Sequence, residues 1–204
     1  GCGTGSWLSI WLKSGIQNIL GVDFMDPSEK LKIPLENFVK CDLAKENIPL
    51  DEKFDFVQCL ECLEHIPKGI AEKVVSKLCS LGDIVMFSAA TPGQGGENHV
   101  NEQSLEYWRK VFDNNGFKPF DPIRIIFQKE KSISFWYRYN IILYVNIKGL
   151  NRLSDKFLKS RISDERRIPR FESKIQRIRN KVISILPIKI VNFLAKVKTL
   201  FSNF

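Results

Sequence analysis

The sequence predicts an α/β protein, with a doubly wound, mostly parallel sheet, an antiparallel last strand and a basic helical tail. Three observations carry that expectation. Short apolar runs that end in an acid alternate with segments of helical periodicity, the pattern of a parallel sheet wrapped by helices. A glycine run opens the first helix. The charge is divided: residues 151–204 hold 14 Lys/Arg and 4 Asp/Glu, whereas residues 1–150 hold 17 and 19.

Residues 1–13 read as a glycine loop leading into a helix that carries Trp7, Leu8, Ile10, Trp11 and Leu12, closed near Gly15. Ile19–Asp23 is a buried strand, and Asp26-Pro27-Ser28 starts a turn. Phe38–Leu43 and Phe54–Leu60 are the second and third strands. Ile66–Leu81 has helical spacing and ends at Gly82; Asp83–Ser88 is the fourth strand. Thr91–Gly96 is a Gly/Pro loop, and Ser104–Asn115 an amphipathic helix before Gly116. Pro122–Phe127 and Ile141–Ile147 are expected as an antiparallel pair of strands at one edge, with no clear helix between them.

The 204 residues suit one domain, residues 1–147, plus an appendage, residues 148–204. Hydrophobic residues at 44% and charged residues at 26% exclude wholesale disorder, a collagen and a disulfide-stapled miniprotein. The longest apolar run, near Ile141–Val145, is far short of the roughly 18–20 residues of a spanning helix. The five cysteines sit singly or as Cys59-x-x-Cys62 in apolar sequence, which reads as reduced, buried thiols of a cytoplasmic protein.

Gly1-Cys2-Gly3-Thr4-Gly5 lets the backbone approach a ligand at a strand-to-helix turn. Asp23 ends a strand about 20 residues on, where a carboxylate grips a ribose diol. Asp42 ends the next strand on the same carboxyl edge, where it either meets an adenine amino group or caps the turn before Lys45. A glycine loop with no strand before it is expected to open a fragment whose first strand is missing.

The order Gly-Cys-Gly-Thr-Gly, Gly21-Val22-Asp23, Cys41-Asp42-Leu43 and Phe54–Pro67, with its Leu63-Glu64-His65-Ile66-Pro67 run, resembles a class I S-adenosylmethionine-dependent methyltransferase of type 11/12-like sequence over residues 1–147. The resemblance implies a Rossmann-like fold and S-adenosylmethionine as cofactor. It places Gly1, Cys2 and Gly3 against the methionine part, Asp23 on the ribose, and Asp42 with Leu43 on the adenine. It also sets Phe24 and Met25 beside the adenine, and Cys59 and Leu60 near the cofactor. A nicotinamide dehydrogenase is disfavoured because the loop is Gly-x-Gly-x-Gly rather than Gly-x-Gly-x-x-Gly.

Glu61-x-x-Glu64-His65 and His99 form the second cluster, and they are the catalytic candidates. The two histidines are the only ones in the chain and lie at neighbouring strand ends. Two carboxylates and two imidazoles suit Mg²⁺ or another divalent ion that lowers an acceptor hydroxyl's pKa. The pattern is similar to that of small-RNA 3′-end methyltransferases and ubiquinone-pathway O-methyltransferases. The alternatives are His99 or His65 as a general base, and His65 as a helix-start residue. The aromatic run Phe135–Asn140 caps a sheet edge or lines an acceptor pocket with Trp136 and Tyr137.

In the tail, Phe193, Leu194, Val197, Phe201 and Phe204 recur at helical spacing after Pro187, away from Lys189, Lys196 and Lys198. That is the signature of a helix at an anionic membrane surface, through residues 182–204, or of a stripe docked on the body. These features predict methyl transfer to oxygen on a small-molecule, glycan or lipid-linked acceptor, in the cytoplasm or at the inner face of the membrane. An RNA 2′-hydroxyl acceptor and a non-catalytic cofactor-binding or peripheral membrane module are the alternatives. Nucleic acid is the weaker partner, because few aromatics interleave with the arginines.

Overall fold

The computed structural model of the chain describes residues 1–25 and 30–202, the last five of these as backbone only. The expected turn at Asp26–Ser28 and Phe204 lie outside the described residues, as do the side chains of Lys198 and Phe201. Helix α1 spans Ser6–Lys13. It ends in a Schellman pair, with Ile16 N–H donating to Trp11 O and Gly15 N–H to Leu12 O. Strand β1, Gly21–Asp23, pairs in parallel with β2, Phe38–Lys40.

A four-stranded sheet carries the rest, in the order β3-β4-β6-β5. Strand β3 (Val57–Leu60) is parallel to β4 (Ile84–Ser88), and helix α2 (Lys68–Leu81) crosses between them. After helix α3 (Leu105–Asp113) comes strand β5, Lys118–Phe120. Strand β6, Ile142–Val145, inserts between β4 and β5, antiparallel to both, as expected of the last strand. Every residue of β4 and of β6 is buried, which explains why both read as unbroken apolar runs. One core cluster lies under α2 and α3, where Phe112 stacks on Tyr144 with ring centroids 3.8 Å apart and both touch Phe87.

One expected element is of the wrong type. Pro122–Phe127 is helix α4, not a strand, and a second helix, α5 (Phe135–Asn140), follows it. The strand of this edge is Lys118–Phe120 instead. Three isoleucines give the segment a strand-like composition. Two local devices decide for helix. Pro122 occupies the first turn, where its missing N–H costs nothing. Arg124, fully buried, returns one turn to the carboxylate of Asp121 through Nε at 3.0 Å and Nη2 at 2.6 Å. Its Nη1 donates to Tyr139 O at 2.8 Å, which fixes the end of α5.

The tail continues as α6 (Ile147–Leu150), α7 (Asp155–Leu158), α8 (Lys174–Ser184) and α9 (Ile188–Ser202). Its segment 160–168 lies along β5 and α3. Ile162 N–H donates to Pro119 O, and Arg109 donates to the carbonyls of Ser163 and Arg166. Helix α8 opens with a capping box between Ser173 and Gln176 and rests on the Gly/Pro loop after β4.

Candidate functional site

The carboxyl ends of β1, β2, β3 and β4 deliver the site. At Gly3 the backbone is left-handed (φ +53°), and a Cβ there would meet nothing within 4 Å, so conformation rather than packing calls for glycine. Gly3 N–H donates to Asp23 Oδ2 at 2.8 Å, and Met25 N–H donates to Oδ1 at 3.1 Å. Asp23 is buried, and each of its oxygens keeps lone-pair capacity for a further donor. Phe24 and Met25 are exposed beside it. A carboxylate fixed under an open glycine turn, with two apolar side chains free to cover a ring, fits an adenosyl group. At the end of β2, Asp42 Oδ1 accepts from Ala44 N–H, and Lys45 bonds the other oxygen at 2.9 Å. That Lys45 bond, then the Ala44 amide, holds the Asp42 carboxyl below its ordinary value. Leu43, Cys59 and Leu60 are buried in the core, so only their backbones are free to face a ligand.

The histidine cluster forms where β3 and β4 end. His65 and His99 meet edge to face, with ring centroids 4.9 Å apart. One ligand-type atom from each of Glu64, His65 and His99 lies within 4.8 Å of the others. Glu64 is 1% exposed, and its Oε2 has no hydrogen-bond partner among the described residues. Burial, then the nearby Glu61 charge, pushes its carboxyl up to about 9. Burial and the charge of His99 push His65 down. His99 Nδ1 lies 2.9 Å from Glu102 Oε1. A carboxylate only accepts, so this bond places the proton of the neutral ring on Nδ1 and leaves the lone pair on Nε2. Glu102 also accepts from Gly93 and Gly95 N–H. Burial raises the Glu102 carboxyl, but the His99 bond and the two amides outweigh that and hold it low.

Glu61 takes another path. It has a left-handed backbone (φ 50°) directly after β3, and its carboxylate accepts from Gln94 Nε2 at 3.0 Å and from Asn140 Nδ2 at 3.5 Å. Asn140 also donates to Gln94 Oε1 at 2.8 Å. Burial raises the Glu61 carboxyl, against the bonds from Ser88, Gln94 and Asn140. Gln94 and Asn140 form one wall of a cavity of about 160 Å³. Phe135 and Tyr139 of α5 and residues of the tail helix α8 form the other walls.

A family model described as "Methyltransferase domain" matches residues 1–116, more than half of the chain. The chain belongs to the methyltransferase domain family. Among solved structures, this methyltransferase is similar to the methyltransferase domain of a bacterial Hen1, at 19% identity and TM-score 0.50, over 72% of this chain and 86% of that one. It is also similar to the small RNA methyltransferase HEN1, at 18% identity and TM-score 0.52, over 73% of this chain and 23% of that one. At these identities the likeness is one of fold, and the fold is that of the class I S-adenosylmethionine-dependent methyltransferases. A third similar structure is magnesium protoporphyrin IX methyltransferase from Synechocystis PCC 6803 with bound S-adenosylmethionine. It is 27% identical, with a TM-score of 0.48, over 72% of this chain and 67% of that one. No curated protein matches the chain.

The structure of the methyltransferase thus brings Gly1, Cys2 and Gly3 beside Asp23, and Glu64 beside His65 and His99. Glu61 stands apart from that trio, on Gln94 and Asn140. The aromatic helix faces two ways: Tyr137 packs against Trp7, while Phe135 and Tyr139 line the cavity. Sequence reasoning missed Gln94, Glu102, Asn140 and the tail's Arg179 and Asn180. Only Glu102 left a trace, as an acid three residues after His99 in a loop.

Proposed function

We propose that the methyltransferase methylates a hydroxyl oxygen of a small-molecule, sugar or lipid-linked acceptor, with residues 1–147 as the methyltransferase domain and 148–204 as an accessory segment. S-adenosylmethionine, when bound, supplies an electrophilic methyl group. The chain's residues do the rest. Gly1, Cys2 and Gly3 line the turn, and Asp23 holds the ribose diol. Phe24 and Met25 cover the adenine at the Asp42–Leu43 edge, and the backbone of Cys59 and Leu60 borders the cofactor. The observation that carries the reading is the His99–Glu102 pair, 2.9 Å apart. Glu102 keeps the Nε2 lone pair of His99 available and steadies the imidazolium that forms when the hydroxyl proton arrives. His65, Glu64 and Glu61 line the same strand ends, where the acceptor oxygen must be held. His99→Ala is expected to lower kcat by roughly 10²–10⁴-fold, the usual range for a general base, with cofactor affinity within twofold. Unchanged turnover would remove His99 from the chemistry.

A specific observation favours a second reading of the same trio. Glu64, His65 and His99 converge, and Glu64 Oε2 is buried without a partner among the described residues. A carboxylate and two imidazoles suit Mn²⁺ or Mg²⁺, and an ion there would lower the pKa of the acceptor hydroxyl.

The tail supports an anionic membrane surface as partner. Residues 173–204 hold seven Lys/Arg and no acid. On α8 and its capping residue, Ile175, Ile178, Val182 and Ile185 form one exposed stripe at helical spacing, flanked by Lys174 and Lys181. Phe193 and Leu194 of α9 are exposed as well. No helix among the described residues is long and apolar enough to cross a membrane. Sedimentation with phosphatidylglycerol vesicles is expected to carry the protein down at low salt, and Ile178→Asp with Ile185→Asp is expected to release it. Retention of the double variant would refute this role.

A further inference from the structure

We infer that helix α8 of the tail completes the acceptor site, and that this site takes a neutral polyhydroxylated ring such as a sugar or a cyclitol. The inference rests on the methyl-transfer reading above and names its acceptor class.

The cavity lies one side chain away from Glu61, because the two amides on its inner wall, Gln94 and Asn140, are those that hold Glu61 at the end of β3. Its outer wall belongs to the tail. Gln176, Arg179 and Asn180 of α8, with Glu172 just before it, close the space that α5 leaves open. That wall is seated firmly: Arg179 Nη1 donates to Gln94 O at 3.1 Å, and the backbone of Asn180 packs on Gly93.

Size limits what the cavity encloses. About 160 Å³ is well below the roughly 300–1,000 Å³ of a pocket for a drug-sized ligand, so the cavity seats one ring, and the rest of a larger acceptor would extend through its open side. Charge disfavours a phosphate. The one cation of the lining, Arg179, spends its Nη1 on Gln94 O and Asn180 Oδ1, and the carboxylate of Glu172 balances its charge, so the lining has no net charge to offer an anion.

What is left, beside that balanced pair, is uncharged donor and acceptor capacity. Thr91 Oγ1, Tyr139 Oη, Gln176 Nε2 and Asn180 Nδ2 have no hydrogen-bond partner among the described residues, and all four residues line the cavity. Four such groups around one small space match several hydroxyls, each of which both donates and accepts. Phe135 and Tyr139, four apart on α5, add apolar ring faces for the C–H side of a sugar.

The test uses the full chain saturated with S-adenosylhomocysteine. Saturation-transfer NMR is run with methyl hexopyranosides, a hexose 6-phosphate and uridine as probes. The inference predicts transfer to at least one hexopyranoside in preference to the other two. Tyr139→Phe and Gln176→Glu are each expected to weaken it about tenfold, as one lost hydrogen bond would. Gln176→Glu keeps the capping oxygen of α8. S-adenosylhomocysteine affinity should stay within twofold in both variants. Binding of S-adenosylhomocysteine without any hexopyranoside, a preference for the phosphate or uridine, or indifference to both variants would overturn the acceptor class. Hexopyranoside binding without S-adenosylhomocysteine binding would instead sink the methyl-transfer reading and leave the acceptor class standing.

Discussion

Gly93→Ala separates the tail from the body with a single methyl group. The Gly93 backbone is left-handed, at φ +78°, where an L side chain costs roughly 1–2 kcal/mol. A Cβ there would stand 1.8 Å from Asn180 O and 2.5 Å from its carbonyl carbon. Both are backbone atoms of α8, so no side chain can swing aside. To reach even the 3.0 Å limit of real Cβ contacts, the helix must retreat by more than 1 Å. The Arg179–Gln94 bond, now 3.1 Å, cannot survive that retreat, and its loss costs about 1 kcal/mol. The backbone strain stays with the loop in either state, so the docking balance shifts by the lost bond and the displaced helix, at least about 1 kcal/mol or roughly fivefold. Amide hydrogen exchange reads it directly. Residues 174–184 should exchange faster by that factor, and trypsin should cut at Arg177 and Lys181 sooner. Strand β4 should keep its protection. Unchanged exchange in α8 would refute the view that Gly93 seats the tail on the acceptor side.

Further outcomes follow from the same contacts. Arg124→Leu leaves the carboxylate of Asp121 buried and unpaired. It should destabilise the protein by about 3–5 kcal/mol in denaturant unfolding, and a loss under 1 kcal/mol would show the pair to be solvated. On the metal reading of the Glu64, His65 and His99 trio, Mn²⁺ binding should tighten as pH rises from 6 to 8, because the Glu64 carboxyl, raised to about 9, must lose its proton to ligate the ion. Calorimetry in buffers of different ionisation enthalpy should then show close to one proton released, and pH-independent affinity would take Glu64 out of the ion's shell.

The parallel part of the fold was legible because buried strands announce themselves. Ile84–Ser88 is apolar throughout, and the acids Asp23 and Asp42 mark the carboxyl edge. The segment Pro122–Phe127 was not legible by composition. Its helix depends on a proline in the first turn and on a buried Arg124–Asp121 pair, whose burial only the packed sheet edge creates. The histidine pair was legible because the chain has only two histidines, each just after a strand. Glu61, Gln94 and Asn140 were a different case. Gln94 and Asn140 lie 33 and 79 residues from Glu61, and carboxamides have no spacing signature of their own. Only the insertion of β6 beside β4 brings the end of α5 to them. The tail's role in the cavity was hidden for the same reason, since its sequence advertises charge and an apolar stripe rather than Gln176 and Asn180.

The most direct test of the central claim is calorimetric titration of S-adenosylmethionine into the protein and into its Asp23→Ala variant. One-to-one binding in the micromolar range, lost in the variant while its fold is retained by circular dichroism, is the result the glycine-turn and carboxylate geometry predicts. Equal affinity in the two proteins would contradict it, because the carboxylate bonded to Gly3 N–H at 2.8 Å would then have no part in holding the cofactor.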